Sequence, residues 1–174
     1  MPKISKMETA YVLFGSNLGD KKALFAQACV LINKRCGRVV QVSSAYESEP
    51  WGFEAEEWFL NQVIVLETEL PPEGLLDALL QIEKELGRVR NPEVKGYSSR
   101  TVDLDILYFG SRVIHTNRLT VPHPRLHLRR FALMPMCDVA PLLVHPVLRQ
   151  TQTELLGLCL DACEVRKLDN NVMK

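Results

Sequence analysis

An α+β fold is predicted for this 174-residue chain: a ferredoxin-like β-α-β-β-α-β core, antiparallel sheet with helices, plus a C-terminal extension. Three observations predict it. Apolar or β-branched runs closed by turn residues recur along the first 110 residues as strands. Two segments with helical apolar spacing fall after the first and the third of them. The composition, 47% hydrophobic and 24% charged, is that of an ordinary globular core, so residues 1–174 are expected to form a single domain.

In order, Tyr11-Val12-Leu13-Phe14 reads as a strand closed by Gly15-Ser16-Asn17-Leu18-Gly19-Asp20. Asp20 or Asn17 can cap a helix from Lys21 to Arg35, whose Leu24, Phe25, Ala28, Leu31 and Ile32 share a face and which Cys36-Gly37 stops. Val39 to Tyr46 and Phe59 to Leu70 read as strands, with Ser48 to Gly52 as a loop between them. Pro71-Pro72-Glu73 opens a second helix, with Leu75, Leu79, Ile82 and Leu86 on its apolar side, and Gly87 ends it. A basic stretch, Arg88 to Arg100, leads to a strand from Thr101 to Gly110. Beyond it come a proline-rich segment, Val121 to Pro146, and a last helix predicted over Thr151 to Ala162.

Lys plus Arg (21) balance Asp plus Glu (21), so no global field draws the chain to nucleic acid or to an anionic membrane. No window reaches the roughly 20 apolar residues of a bilayer span, and the N-terminus lacks a signal-peptide core, so the expectation is a cytoplasmic protein without a membrane partner. The five scattered cysteines read as buried free thiols.

The zero net charge conceals segregation. Residues 47–85 carry eleven acids against one base, whereas residues 86–130 carry nine bases against three acids. Two of those three acids, Asp103 and Asp105, lie two apart on a strand, so they share a face, with side chains expected about 7 Å apart. Paired carboxylates among arginines suit a hard cation on a polyphosphate. Arg88, Arg90 and Arg100 flank the stretch before that strand and could fork onto phosphate oxygens. Arg118 to Arg125 is a second cationic cluster, in which His123 could contact phosphate. Gly15 to Gly19 lacks the lysine of a P-loop and the three-glycine dinucleotide spacing. Phe59, Asn61, Trp51 and Phe131 could line a pocket for a flat ring.

These residues resemble a known family. Gly15-Ser16-Asn17-Leu18-Gly19, Phe59-Leu60-Asn61, Glu83 with Leu86-Gly87-Arg88-Val89-Arg90, Arg100 through Leu107, and Leu119-Thr120-Val121-Pro122-His123-Pro124 look like the 6-hydroxymethyl-7,8-dihydropterin pyrophosphokinases of folate biosynthesis. The resemblance runs from about Ala10 to Pro146. It implies transfer of diphosphate from ATP to the pterin hydroxymethyl with release of AMP, and two magnesium ions held by Asp103 and Asp105. It also implies Arg88 and Arg100 as catalytic arginines on the polyphosphate, with Arg90, Arg118, Thr120, His123, Arg129 and Glu83 around ATP. Phe59 and Phe131 would sandwich the pterin, Asn61 would bond its edge, and Ser48, Trp51 and Asp103 would complete its pocket. Three positions depart from the family pattern: Tyr97-Ser98-Ser99 stands for the common Trp-Gly-Pro, Arg130 for a frequent glycine, and Pro124 for a tyrosine of some members.

The partners expected are ATP and the reduced pterin, with a monomer as the working state and a weak homodimer as its alternative. A non-catalytic RNA-binding module uses the same element order, but it displays aromatics where this strand displays aspartates. A kinase moving one phosphoryl group is the nearer alternative, separated by release of ADP instead of AMP.

Overall fold

The computed structural model describes residues 6–50, 57–87 and 102–168. The first strand, β1 (Glu8–Ser16), is followed by α1 (Lys21–Arg35), which starts where the Asp20 carboxylate accepts the Ala23 N–H at 3.2 Å. Gly37 follows the helix because a Cβ there would sit 2.1 Å from the Glu67 carbonyl oxygen. The predicted strand Val39 to Tyr46 is two strands, β2 (Arg38–Val42) and β3 (Tyr46–Ser48), both paired with β4 (Phe59–Thr68). Between them Ser43 interrupts the ladder, its hydroxyl oxygen accepting the Val63 N–H at 2.8 Å. Ser48, expected in a loop, closes β3.

Next comes α2 (Pro72–Glu85), with Pro72 at its first turn and Gly87 at φ 98° just beyond its end, a conformation favourable only without a Cβ. The predicted last core strand is β5 (Asp103–Phe109). The short hairpin β6 (Ile114–His115) and β7 (Thr120–Val121), a 3-10 turn (Leu126–Leu128), α3 (Arg130–Val139), α4 (Gln152–Leu158) and β8 (Val165–Lys167) complete the chain.

Among the described residues the main sheet has six strands in the order β5-β1-β4-β3-β8, with β2 also on β4, and every pairing is antiparallel. This is the predicted core. Alternate side chains serve opposite faces. Ala10, Val12, Phe14, Ile64 and Leu66 pack with α1 and α2, while Leu13, Val63 and Val65 pack with α3 and α4. The extension therefore turns a two-layer core into three layers.

Besides the β6–β7 hairpin and the 3-10 turn, two larger features of the extension were not foreseen. α3 lies within the proline-rich segment, where Pro135 reads as a breaker, yet Ala132, Leu133 and Met136 are buried against the sheet. The helix predicted to Ala162 stops at Leu158, and the chain then adds β8 to β3. The expectation of five buried thiols holds for Cys36 and Cys159, while Cys29, Cys137 and Cys163 are half-buried. Among the described residues no helix is long and apolar enough to cross a membrane.

Leu79 on α2 and Leu133 on α3 are both fully buried, on opposite faces of the sheet. Replacing either by alanine is expected to cost about 2–5 kcal/mol in urea unfolding. A negligible loss for Leu133→Ala would mean that α3 is not part of the core.

Candidate active site

β5 is the end strand of the sheet, and Asp103 and Asp105 both face the α3 side. The side chains do not stay 7 Å apart as their attachment points suggest: Asp105 hydrogen-bonds Asp103. Burial, the neighbouring Asp103 and the Glu83 carboxylate push the Asp105 carboxyl well above its ordinary range, and Arg129 offsets this only in part. Glu83 itself is buried on α2 and accepts the Leu104 N–H at 2.7 Å, so it grips the backbone between the two aspartates.

A β-bulge brings a histidine to the pair. Tyr108 lies opposite Tyr11 and Ile106 opposite Val12, which leaves Leu107 as an extra residue in β5. The Leu107 carbonyl accepts the His123 N–H at 3.0 Å. His123 is pushed down to about 4 by burial and by the Arg129 guanidinium, with Asp103 acting the other way. Its Nδ1 accepts the Arg125 N–H at 3.1 Å, so in the neutral ring the proton resides on Nε2. Arg129 is buried and lies 5.6 Å from the Phe131 ring centroid, at the start of α3.

The adjoining wall comes from register. Asp103 lies opposite Gly15 on β1, and Gly15 opposite Asn61 on β4. A Cβ built on Gly15 would only touch Asn61 Oδ1 at 3.8 Å and Phe59 Cδ1 at 3.9 Å, so the glycine leaves a hollow beside the carboxyl pair. Asn61 donates its Nδ2 to Ser48 Oγ at 2.7 Å, and both residues are buried. Phe59 and Phe131, from the start of β4 and the first turn of α3, are half-buried on this same side of the sheet.

The structure thus gathers Asp103, Asp105, Glu83, His123 and Arg129 into one cluster, with Asn61, Ser48 and Phe59 next to it. Arg118 and Thr120 sit elsewhere: Arg118 is exposed and paired with Asp77 on α2, and Thr120 Oγ1 lies 3.4 Å from His115 Nδ1 in the hairpin. Arg88, Arg90, Arg100 and Trp51, together with the departure at Tyr97-Ser98-Ser99, lie outside the described residues. Sequence reasoning missed the part played by Gly15. Its motif read as a turn, whereas Gly15 is a strand residue flooring the hollow, and Asn17, fully buried, donates to the Glu57 carbonyl at 3.3 Å. A glycine at the end of an apolar strand run was the available signal.

The donor set fits magnesium. Two neighbouring carboxyls gain from an intervening cation, and carboxylate oxygens are the donors that a hard cation takes.

A covered ferredoxin-like sheet with paired carboxyls beside a polar-edged hollow is the arrangement of a small-ligand site. Residues 11–141 match the family described as 7,8-dihydro-6-hydroxymethylpterin-pyrophosphokinase (HPPK). The chain belongs to this family. It is 41% identical over 141 residues to the 2-amino-4-hydroxy-6-hydroxymethyldihydropteridine pyrophosphokinase of Porphyromonas gingivalis, covering 80% of this chain and 95% of that one. The Bacillus subtilis enzyme of the same name is 44% identical over 131 residues, covering 75% and 77%. A crystal structure of Plasmodium falciparum HPPK-DHPS with pterin and p-hydroxybenzoate superposes with a TM-score of 0.71 at 17% identity, over 91% of this chain. That likeness concerns the fold, and the chain spans 42% of the longer HPPK-DHPS chain.

Opposite pH trends are expected from the two perturbed groups. His123 refuses a proton until about 4 in the folded state but takes one near 6.5 when unfolded, so its contribution to stability is lost as pH falls from 6.5 toward 4. His123→Gln should flatten that limb of a melting-temperature profile. Asp105 works the other way, destabilising the metal-free fold as pH rises above the ordinary carboxylate range. Asp105→Asn should therefore raise the melting temperature at pH 7 in a chelator, and a lowered one would contradict the crowding of the two acids.

Proposed function

We propose that the chain transfers the diphosphoryl group of ATP to the hydroxymethyl oxygen of 6-hydroxymethyl-7,8-dihydropterin, with AMP as leaving group, in folate biosynthesis. The observation that carries this reading is the contact pair Asp103–Asp105 abutting the hollow over Gly15. One feature serves a polyphosphate and the other a flat ring, and their adjacency suits transfer between the two.

In this reading Asp103 and Asp105 would hold two magnesium ions, which would supply charge neutralisation for the triphosphate and a lowered pKa for the attacking hydroxyl. The residues of the chain bind and orient. Phe59 and Phe131 take the pterin between their faces, with Trp51 as a further wall. Asn61 commits its Nδ2 to Ser48, which leaves Oδ1 over Gly15 as an acceptor for a ring N–H. Arg129 supplies a buried positive charge, and neutral His123 offers Nε2–H to a phosphate oxygen. Arg88 and Arg100 act on the transferred group, and Arg90, Arg118 and Thr120 on ATP. The exposed Arg118–Asp77 pair is cheap to open, since water screens it. Glu83 acts on the nucleotide side through the Leu104 amide, by setting where β5 presents its acids. In-line transfer then needs positioning and charge neutralisation and no covalent nucleophile.

The same reading places the protein in the cytoplasm as a monomer, and its five free cysteines suit a reducing compartment. α3 and α4 cover the sheet face on which a ferredoxin-like RNA-binding module stacks bases.

Incubation with ATP, magnesium and the reduced pterin should give AMP and a pterin diphosphate. ADP as the product, or no turnover of that alcohol, would overturn the reading. Asp105→Ala should lower kcat/KM by about 100-fold or more, because several kcal/mol of charge stabilisation depend on the pair.

A further inference from the structure

The segment after α4 lies outside the family match, which ends at residue 141, yet it grips both sides of the hollow described above. On the α3 side it holds Arg130, the residue between Arg129 and Phe131. The Arg130 N–H donates to Asp161 Oδ2 at 3.0 Å, its Nε to the Asp161 carbonyl at 3.2 Å, and its Nη2 to the Cys159 carbonyl at 3.1 Å. The Cys163 N–H holds the other oxygen of the Asp161 carboxylate at 3.0 Å. A carboxylate at the first turn of α3 also meets the favourable end of the helix dipole.

On the opposite side the same segment becomes β8. Val165 lies opposite Ser48 and Arg166 opposite Glu47. The Glu49 N–H donates to the Glu164 carbonyl at 3.1 Å, and the Glu164 N–H donates to the Glu49 carboxylate. The Arg166 guanidinium lies 4.6 Å from the Trp58 ring centroid, next to Phe59, with its Nε 2.8 Å from Glu164 Oε1. Lys167 then reaches back to α3, 3.6 Å from Asp138.

We propose that Cys159–Leu168 is a strap that fixes the separation of the two walls of the pterin pocket, with Arg130 and Asp161 as positioning residues at its α3 end. The proposal rests on the functional reading above. One wall is the start of α3, which carries Phe131; the other is β3 with the start of β4, which carries Ser48, Asn61 and Phe59. Apart from this segment the described residues join the two through the sheet, through the packing of α3 on β4, and at Asp138, which accepts from the Tyr46 hydroxyl and the Ser44 N–H deeper in the fold. A ring bound between two faces needs their spacing set before it arrives, so that ordering is completed during folding and not charged to binding. Arg130 spends three donors on the strap. Of the groups assigned to the triphosphate only Arg129 neighbours Arg130, while the carboxyl pair and His123 stand on other segments, so the effect of the strap falls chiefly on the pterin.

The test compares full-length Arg130→Gly, Asp161→Ala, the double variant and Asp161→Asn with the unaltered chain. KM values for both substrates are measured, and 6-hydroxymethyl-7,8-dihydropterin is titrated calorimetrically in the presence of magnesium and a non-hydrolysable ATP analogue. Each single variant should weaken pterin binding about three- to tenfold, the double variant no more than the worse single one, and ATP less than about twofold. Asp161→Asn, which keeps an acceptor for the Arg130 N–H, should recover part of the loss. Should Arg130→Gly unwind the helix end, Arg130→Lys carries the same expectation, because an ammonium cannot fork onto two carbonyls. Unchanged pterin affinity in these variants, equal losses for both substrates, or additive losses in the double variant would each overturn the strap. An unaltered chain that binds no pterin overturns the functional reading itself, which separates the two failures.

Discussion

Two carboxyls of like charge held in contact on a sheet edge are the constraint around which this molecule is arranged. Alternation along β5 sends Asp103 and Asp105 to one face, and burial forces them against each other until Asp105 is driven toward its protonated form. A fold seeking stability alone would place apolar residues there. The neighbouring devices hold the pair in place: Glu83 takes the intervening amide, Arg129 supplies charge, and the bulge at Leu107 ties down His123.

The extension decides what kind of site this pair can serve. α3 and α4 cover the sheet face over Leu13, Val63 and Tyr108, while the face over Gly15 keeps a hollow that a Cβ would begin to fill. Hydrophobic burial and the site are thus two regions of one surface. Tyr46 marks the boundary between them: its hydroxyl donates to Asp138 of α3 at 2.9 Å, and it lies opposite Asn61 in the ladder.

Much of this was legible because it is local. The Asp20 cap, the apolar side of α2 and the sharing of one face by Asp103 and Asp105 all follow from spacing over a few residues. What escaped reading is non-local. α3 forms despite Pro135 because burial of Leu133 and Met136 against the sheet outweighs one missing backbone bond. β8 has little strand character of its own and exists because β3 offers an unpaired edge. The division of Val39 to Tyr46 depends on Ser43 replacing a ladder bond by a side-chain bond, which period-two patterning does not reveal.

By itself the sequence determined the element order, the two core helices, the segregation of acids from bases and the motifs that mark the family. These are written in residue type and short spacing, where backbone geometry leaves few alternatives. Only the tertiary structure decided that the aspartates touch, that Gly15 floors a hollow between Asp103 and Asn61, and that the tail crosses from α3 to β3. Each of these depends on the register of strands far apart along the chain, and register is set by the packing of the whole sheet and not by any one segment of it.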